Sequence, residues 1–443
     1  MANASEHAVV LGGSVAGLLA AHVLARHFAR VTLVERDHFP APGERRKGVP
    51  QSRQLHGLLA GGRRALESLF PDFGSGLMAR GAHEIDVGTN GHFLMEGNVM
   101  PRAETGLRCY LMSRPLLEGY VRERVLAARN IEVREGCVAE ALVGDRRCVR
   151  GVVIQQETLN ADIVVDAAGK GSRTPEWLER IGAQAPEEER VQIDLHYTSF
   201  YIRRDPTHLA GDYFWIDNPQ PPHQRAGAAL AIEGDRFVVA LTGYLNEPMP
   251  TDYRGAIEFS KNLRGPGLYE LLRSSEPVSD LRTMRFAASQ RRRYERLREA
   301  PRGLLVAGDA LCCFNAVYGQ GMTVAALEAQ ALDTCLQQGT DNLFASFQRA
   351  AAKLVDVPWS FVVGGDLAFE GVQGERSWRL RAMNAFMKRL TLAAAHDASV
   401  SRVFLEVLHL CKPPSSLVAP GMLRRVLLPS PLQAAPAWAA KVS

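Results

Sequence analysis

Apolar runs and alternations divide the chain into a strand–helix–strand opening, a strand-rich middle and a helical tail. Residues 7–11 (HAVVL) form a short apolar run, residues 12–17 (GGSVAG) a turn, and LLAAHVLARHF a helix of good formers ending near residue 29. A second apolar strand covers residues 30–34 and stops at an acid, Glu35. A helix is expected from about residue 54 to 69, and short antiparallel strands between 88 and 101, where Asn90-Gly91 and Gly97-Asn98 signal turns. The strand CYLMS leads into the helix RPLLEGYVRERVLAA, with Ser113 as N-cap and Pro115 in its first turn. Further strands are expected at 131–135, 149–155 and 162–166. VQIDLHYTSFYIR (191–203) alternates, and RFVVALTGYL (236–245) is another strand, so residues 190–280 read as a β-rich insert. After Gly339 nearly everything reads as helix, interrupted around Pro358 and Gly364. No internal repeat or low-complexity tract is visible.

In register, the first 35 residues make a βαβ dinucleotide fingerprint, G-x-G-x-x-G, with Ser14 in place of the middle glycine and the acid 23 residues after Gly12. Gly12 permits the tight turn, the small Ser14 lets a pyrophosphate approach the amides, and Gly17 lets the helix pack on the strand. Glu35 then suits ribose hydroxyls. A second unusual stretch is LLVAGDALCCFNAVYGQGM: an apolar strand runs into Asp309, and Gly319-Gln320-Gly321 opens a helix. The first amides of a helix have no partner and carry partial positive charge. Together they predict a ligand with hydroxyls for the acid and an electron-rich edge for the helix end.

Composition narrows the class. With 443 residues, 46% of them apolar, the chain can bury a large core in two or three domains. A net charge of +4 against 52 basic and 48 acidic residues gives no case for nucleic acid. Seven cysteines without a C-x-x-C pair argue against a disulfide framework or zinc site, and the 12 histidines lack ligand spacing, so no metal is expected. The N-terminus has neither a basic n-region nor a long apolar h-region, and no window reaches 18 uninterrupted apolar residues; a soluble cytoplasmic protein is the expectation.

GGSVAG, DAAGKGSR and GDALCCFNAVYGQGM occur in the order of the three fingerprints of class A FAD-dependent monooxygenases, which the first 360 or so residues resemble. RKGVPQSRQLH, NAVYGQGM and the helical tail are most similar to the bacterial olefin epoxidases of polyether and polyene biosynthesis, relatives of squalene epoxidase. The resemblance implies an α/β (α+β) fold: a Rossmann-like FAD-binding domain of the glutathione-reductase/hydroxybenzoate-hydroxylase type (residues 1–188 and 281–360), a β-sheet substrate domain (189–280) and a C-terminal helical region (361–443). It implies FAD contacts at Gly12, Gly13, Ser14, Val15, Ala16, Gly17, Glu35, Arg36, Arg46, Lys47, Arg114, Val138, Gly169, Asp309, Gly319, Gly321 and Met322. Asp309 would take a ribityl hydroxyl and the Gly319–Met322 amides the flavin pyrimidine. It also implies a flavin C4a-hydroperoxide as oxidant. No amino-acid base is then required and none is assigned.

Two departures matter. Ala168-Gly169 stands where the family has Asp-Gly, which leaves open whether NAD(P)H reduces the flavin directly or through a separate flavin reductase. Ala316 replaces a proline before the Gly-x-Gly turn. For the basic loop with Arg45, Arg46, Lys47 and Arg53, a solvated surface and a place beside the anionic cofactor both stand. Tyr197, Ser199 and Tyr201 share one strand face and, with Phe214 and Tyr244, are candidate contacts for a large apolar small-molecule substrate; plain core is the alternative. His56 is read as a structural histidine, and Cys312 and Cys313 as small buried hydrophobes. For the basic amphipathic helix 376–390, packing on the nucleotide domain is favoured over peripheral membrane contact. The expected activity is alkene epoxidation with O2. Aromatic hydroxylation and a flavin-dependent prenyl reductase or dehydrogenase are the alternatives, with a non-catalytic flavin carrier behind them. A halogenase is disfavoured: Trp177, Trp215, Trp359, Trp378 and Trp438 never fall two apart, so its W-x-W pattern is missing.

Overall fold

The computed structural model describes residues 7–428, apart from 42, 45, 47–49 and 96. Arg45 and Lys47 therefore lie outside the described residues. At its centre is a five-stranded parallel sheet in the order Leu304–Val306, Ile163–Asp166, His7–Leu11, Arg30–Glu35, Ile131–Glu135. Helices cover it, and the strands HAVVL and IVVD and the edge strand LLV are buried at every position. Val15–Leu24 packs against Arg114–Leu126 and Gly321–Gln337, and the last packs on Leu343–Asp366. Ser113 caps its helix, accepting from the Leu116 amide, with Pro115 in the first turn.

Other elements differ from the pattern-based expectation. The first helix ends at Leu24, with only turns beyond it. The helix expected from residue 54 starts at Ala60, because Gly57–Leu58 pairs as a strand with Leu111 and Tyr110. Leu343–Asp366 is one helix that runs through Pro358. The ring costs one backbone hydrogen bond, but Phe347, Ala351, Val355 and Val362 are buried on both sides of it and hold the helix together. Ala139–Asp145 and Glu157–Asn160 flank Cys148–Ile154 in a three-stranded sheet, and both are too exposed to carry an apolar pattern.

An eight-stranded sheet forms the second layer, and it is wider than the alternating segment. Its order is Cys312–Cys313, Arg282–Arg292, Glu188–Arg203, Arg236–Gly243, Arg225–Ile232, Phe214–Asp217, Gly91–Met95, Asn98–Val99. On one face, Phe200, Ile202 and Val239 pack against the helices Tyr253–Ser260 and Gly267–Ser274. On the other, Tyr201, Phe214 and Val238 pack with Leu390, Val400 and Phe404 of the C-terminal helices Trp378–Ala394 and Ala398–Leu408. Among the described residues no helix is long and apolar enough to cross a membrane, and no cluster of three or more His, Cys, Asp or Glu side chains is placed to hold a metal ion.

Candidate functional site

The carboxyl ends of the parallel strands converge on one cleft. Gly12 follows the first strand with φ +98°, and a Cβ on it would stand 2.5 Å from the Ala167 carbonyl oxygen. A Cβ on Gly17 would stand 1.7 Å from the Gly12 oxygen, so both glycines are required by the closeness of turn, helix and neighbouring strand. Ser14 precedes the helix beginning at Val15 but makes no side-chain cap; its hydroxyl bonds Glu118 (3.2 Å) and accepts from Arg114 (2.9 Å).

Beneath this turn lies a buried ionic cluster. Arg46 donates to the Gly13 carbonyl (2.8 Å) and pairs with Glu35 (2.7 Å) and Glu118 (2.9 Å); the three side chains are 4%, 5% and 5% exposed. Glu35 also accepts from the amides of Gly13 (2.6 Å) and Asp37 (3.0 Å). Burial would push the Glu118 carboxyl up, but Arg114 and Arg46 outweigh it and hold the carboxyl below its usual range. Of the basic loop, Arg46 is thus neither solvated nor turned toward the open cleft: it fastens the turn. Arg36 is exposed, as is Val138 between the strands Ile131–Glu135 and Ala139–Asp145.

Asp309 sits in the Gly308–Ala310 turn after the Leu304–Val306 strand. Its carboxylate is exposed within the cleft and has no hydrogen-bond partner among the described residues. The surrounding protein pushes its pKa up, and Arg114 and Lys170 pull it back. Behind it, Glu328 accepts from the Gly308 amide (2.7 Å), and burial pushes its carboxyl up to about 8. Gly169 (φ +83°) has open space where a Cβ would point, as do Gly319 (φ +65°) and Gly321. The Gly321–Gln337 helix makes its first backbone bond from Val324 to Gln320 (2.9 Å), so the amides of residues 321–323 precede the ladder. Gln320 is fully buried and donates to the Leu408 carbonyl (2.9 Å). Met322 is buried at the same helix end.

Beside that turn, Tyr318 and Gly319 border a largely apolar cavity of about 600 Å³, lined by Leu58, Phe93, Phe214, Phe361, Met387 and Phe404 among others. Of the five substrate candidates only Phe214 lines it. The face carrying Tyr197, Ser199 and Tyr201 does look toward this side of the sheet, but those side chains are spoken for. Tyr197 donates to Asn315 (2.7 Å), Asn315 donates to Tyr244 (2.8 Å), and Tyr244 donates to Asp366 (3.1 Å). Ser199 donates to Gln54 (2.5 Å), and Tyr201 lies under Arg236. Alternation reveals a face, but the hydroxyls of Tyr197, Ser199 and Tyr244 are engaged by other protein groups. What sequence reasoning missed was the wall supplied by residues 55–59, 85–95 and the specific side chains of the C-terminal helices. Their one signal is the Phe386-Met387 pair on a basic helix.

His56 precedes the helix rather than lying on it. Its Nδ1 contacts the Gln54 carbonyl (2.8 Å), and burial together with Arg114 lowers its pKa to about 4. Cys312 and Cys313 are free, buried thiols pushed up by burial.

Comparisons with known proteins agree with this geometry. The profile of the FAD binding domain family matches residues 6–341. Protein Rv3254 of Mycobacterium tuberculosis (strain ATCC 25618 / H37Rv) is 32% identical over 402 residues, covering 85% of this chain and 84% of its own. The fold is similar to that of pqsL, a probable FAD-dependent monooxygenase from Pseudomonas aeruginosa (TM-score 0.61, 18% identity, 82% of this chain and 97% of that one). It is also similar to that of 2-methyl-3-hydroxypyridine-5-carboxylic acid oxygenase (TM-score 0.60, 19% identity, 90% and 98%). The residues present fit FAD: a turn that admits no Cβ at 12 or 17, an unpartnered carboxylate at 309, and a helix end with open space at 319 and 321. The chain belongs to the FAD binding domain family.

Proposed function

We propose that this protein is an FAD-dependent monooxygenase that inserts one oxygen atom of O2 into a large apolar substrate, with alkene epoxidation the favoured outcome and aromatic hydroxylation the second. The observation that supports this reading is the apolar cavity bordered by Gly319, at the helix end proposed for the flavin. In this assignment the Gly12–Gly17 turn, with Ser14, Val15 and Ala16, lies against the pyrophosphate. Glu35 offers its remaining lone pairs to the adenosine ribose while Arg46 and Arg114 hold the turn rigid. Asp309 takes a ribityl hydroxyl, Gly169 leaves room beside it, and the amides from Gly319 to Met322 face the pyrimidine edge. Bound FAD, once reduced, supplies the activation of O2. The chain's own contribution is to hold the substrate, exclude water through the Phe- and Met-lined walls, and favour negative charge near the helix end. Ala168 supports a separate flavin reductase as the source of electrons.

Asp309→Ala tests the cofactor half. It removes a charge-assisted hydrogen bond of about 1.5–3 kcal/mol, so FAD affinity falls roughly ten- to a hundredfold by equilibrium dialysis. The apo fold is unaffected, because no described residue bonds that carboxylate. Unchanged FAD affinity counts against the placement. The chemistry is tested by turnover under oxygen-18 gas, with a flavin reductase supplied and extracted lipids and polyketides as substrates. One labelled atom is expected in the product, as an epoxide or a hydroxyl. Label arriving from water, or a product reduced or desaturated without label, favours the prenyl reductase or dehydrogenase instead.

A further inference from the structure

His409, at the end of the Ala398–Leu408 helix, is 4% exposed, and its imidazole lines the apolar cavity. Its position is held from several sides. Its amide donates to the Leu405 carbonyl (2.8 Å), its carbonyl accepts from Gly61 (3.0 Å), and the preceding carbonyl, of Leu408, accepts from Gln320 in the turn that opens the Gly321–Gln337 helix. The Ala60 amide points at Nδ1 (3.3 Å), and a backbone N–H can only donate, so Nδ1 is the acceptor. The Cys109 sulfur lies 3.4 Å from the same nitrogen, and burial keeps that thiol protonated. Burial also lowers the imidazole's pKa to about 4, so the ring is neutral near pH 7. A neutral ring with Nδ1 accepting carries its proton on Nε2. No described residue accepts that proton.

Resting on the reading of the cavity as the substrate site, we propose that the His409 Nε2–H is a fixed donor for the substrate, which therefore carries an acceptor oxygen such as a carbonyl and is not a plain hydrocarbon. The cavity that His409 lines is largely apolar, with Leu408, Phe404 and Leu58 among its other lining residues. A substrate that fills this space without accepting the bond leaves a buried donor unpaired, whereas one with a carbonyl there satisfies it. Because Gln320 ties Leu408 to the helix end, the same contact sets the distance between the substrate's oxygenated end and the site proposed for the flavin. His409 is in this sense a specificity-determining residue.

The test uses two probes with one ring frame, 9-fluorenone with a carbonyl bridge and fluorene with a methylene bridge, titrated into the FAD-loaded protein. Fluorenone is expected to bind roughly tenfold more tightly. His409→Asn, whose side-chain oxygen can still accept from Ala60 but which has no group at the Nε2 position, loses that preference while keeping the melting temperature close to native. His409→Gln, which can place an amide N–H near the Nε2 position, restores part of it. In the native protein, with no substitution, the His409 Nε2 NMR signal moves on adding fluorenone and not on adding fluorene. Equal binding of both probes to the native protein, a preference retained in His409→Asn, or a signal indifferent to fluorenone overturns the donor role and leaves the apolar cavity standing. Failure of both probes to bind overturns the cavity reading and this inference with it.

Discussion

Gly17→Ala is expected to yield little folded protein and no bound FAD. Its Cβ would stand 1.7 Å from the Gly12 oxygen and 2.9 Å from the Gly12 carbonyl carbon, and both are backbone atoms that no rotamer change can move. Gly12 has no room to retreat. Its own φ is +98°, its amide bonds the Val34 carbonyl (2.8 Å), and the Ala167 carbonyl lies behind it. The helix must therefore lift from the strand, opening a core in which Leu18, Leu19 and Val10 are fully buried. A loss of about 4 kcal/mol or more follows, at the upper end for a single substitution, and denaturant unfolding of the apo protein measures it. Gly321→Val is the informative contrast. Nothing lies within 4 Å of where its Cβ would be, so the apo protein should unfold within about 1 kcal/mol of native. If the flavin occupies that space, FAD affinity nevertheless falls at least about tenfold, because a branched side chain fills it. A Gly321→Val protein that binds FAD normally would place the flavin elsewhere.

The contrast between these two glycines reflects what a linear sequence can disclose. The strand–turn–helix opening was legible because parallel strands buried on both faces must be apolar runs and because a tight turn needs glycine at fixed spacing. Pairings between distant segments were not. Arg282–Arg292 reads as a basic stretch, yet it is an inner strand of the eight-stranded sheet. Arg291, only 2% exposed, is neutralised by Asp356 (2.7 Å), and Arg292 pairs with Glu188 (3.3 Å). Gly57–Leu58 is a strand because it pairs with Tyr110 and Leu111 far along the chain, and Gly91–Met95, expected as half of a short antiparallel pair, gains a parallel partner in the distant Phe214–Asp217. The cavity had the same fate. Which side chains meet there depends on how the helices near residues 386 and 404 cross the sheet. Tyr197, on the strand face it shares with Ser199 and Tyr201, donates to Asn315, and Tyr244, the further substrate candidate, donates to Asp366. Glu35 was legible as an acid at a strand end, while its dependence on Arg46 and Glu118 was not, since the three come together only in the folded turn.

That dependence makes Arg46→Met the second large effect. The substitution keeps much of the side chain's apolar volume against Phe39, whose ring lies 5.1 Å from the guanidinium, so the loss is chiefly of charge. It leaves the carboxylates of Glu35 and Glu118, each 5% exposed, with the Arg114–Glu118 contact (3.1 Å) as the remaining ion pair among the described residues. Breaking one side of a buried pair costs about 3–5 kcal/mol at neutral pH, far more than an exposed pair. The pH dependence identifies the cause. In the native protein Glu118 is held below its ordinary range, so its ionised form adds stability above the unfolded carboxyl pKa of about 4.3 that is lost as pH falls through the lower folded value. Without Arg46 that contribution shrinks, and burial, already the largest influence on this carboxyl, favours its protonated form. The gap between native and variant should therefore be widest near pH 7 and narrow toward pH 4. Adding Glu35→Gln to Arg46→Met should recover about 1–2 kcal/mol at pH 7, because the amide oxygen still accepts from Gly13 while one uncompensated charge is gone. Urea unfolding of the native protein, Arg46→Met and the double variant at pH 4 and pH 7 measures all of this. A gap that does not change with pH, or a double variant less stable than Arg46→Met alone, would mean that the arginine holds the turn by packing and by its 2.8 Å bond to the Gly13 carbonyl rather than by compensating buried charge.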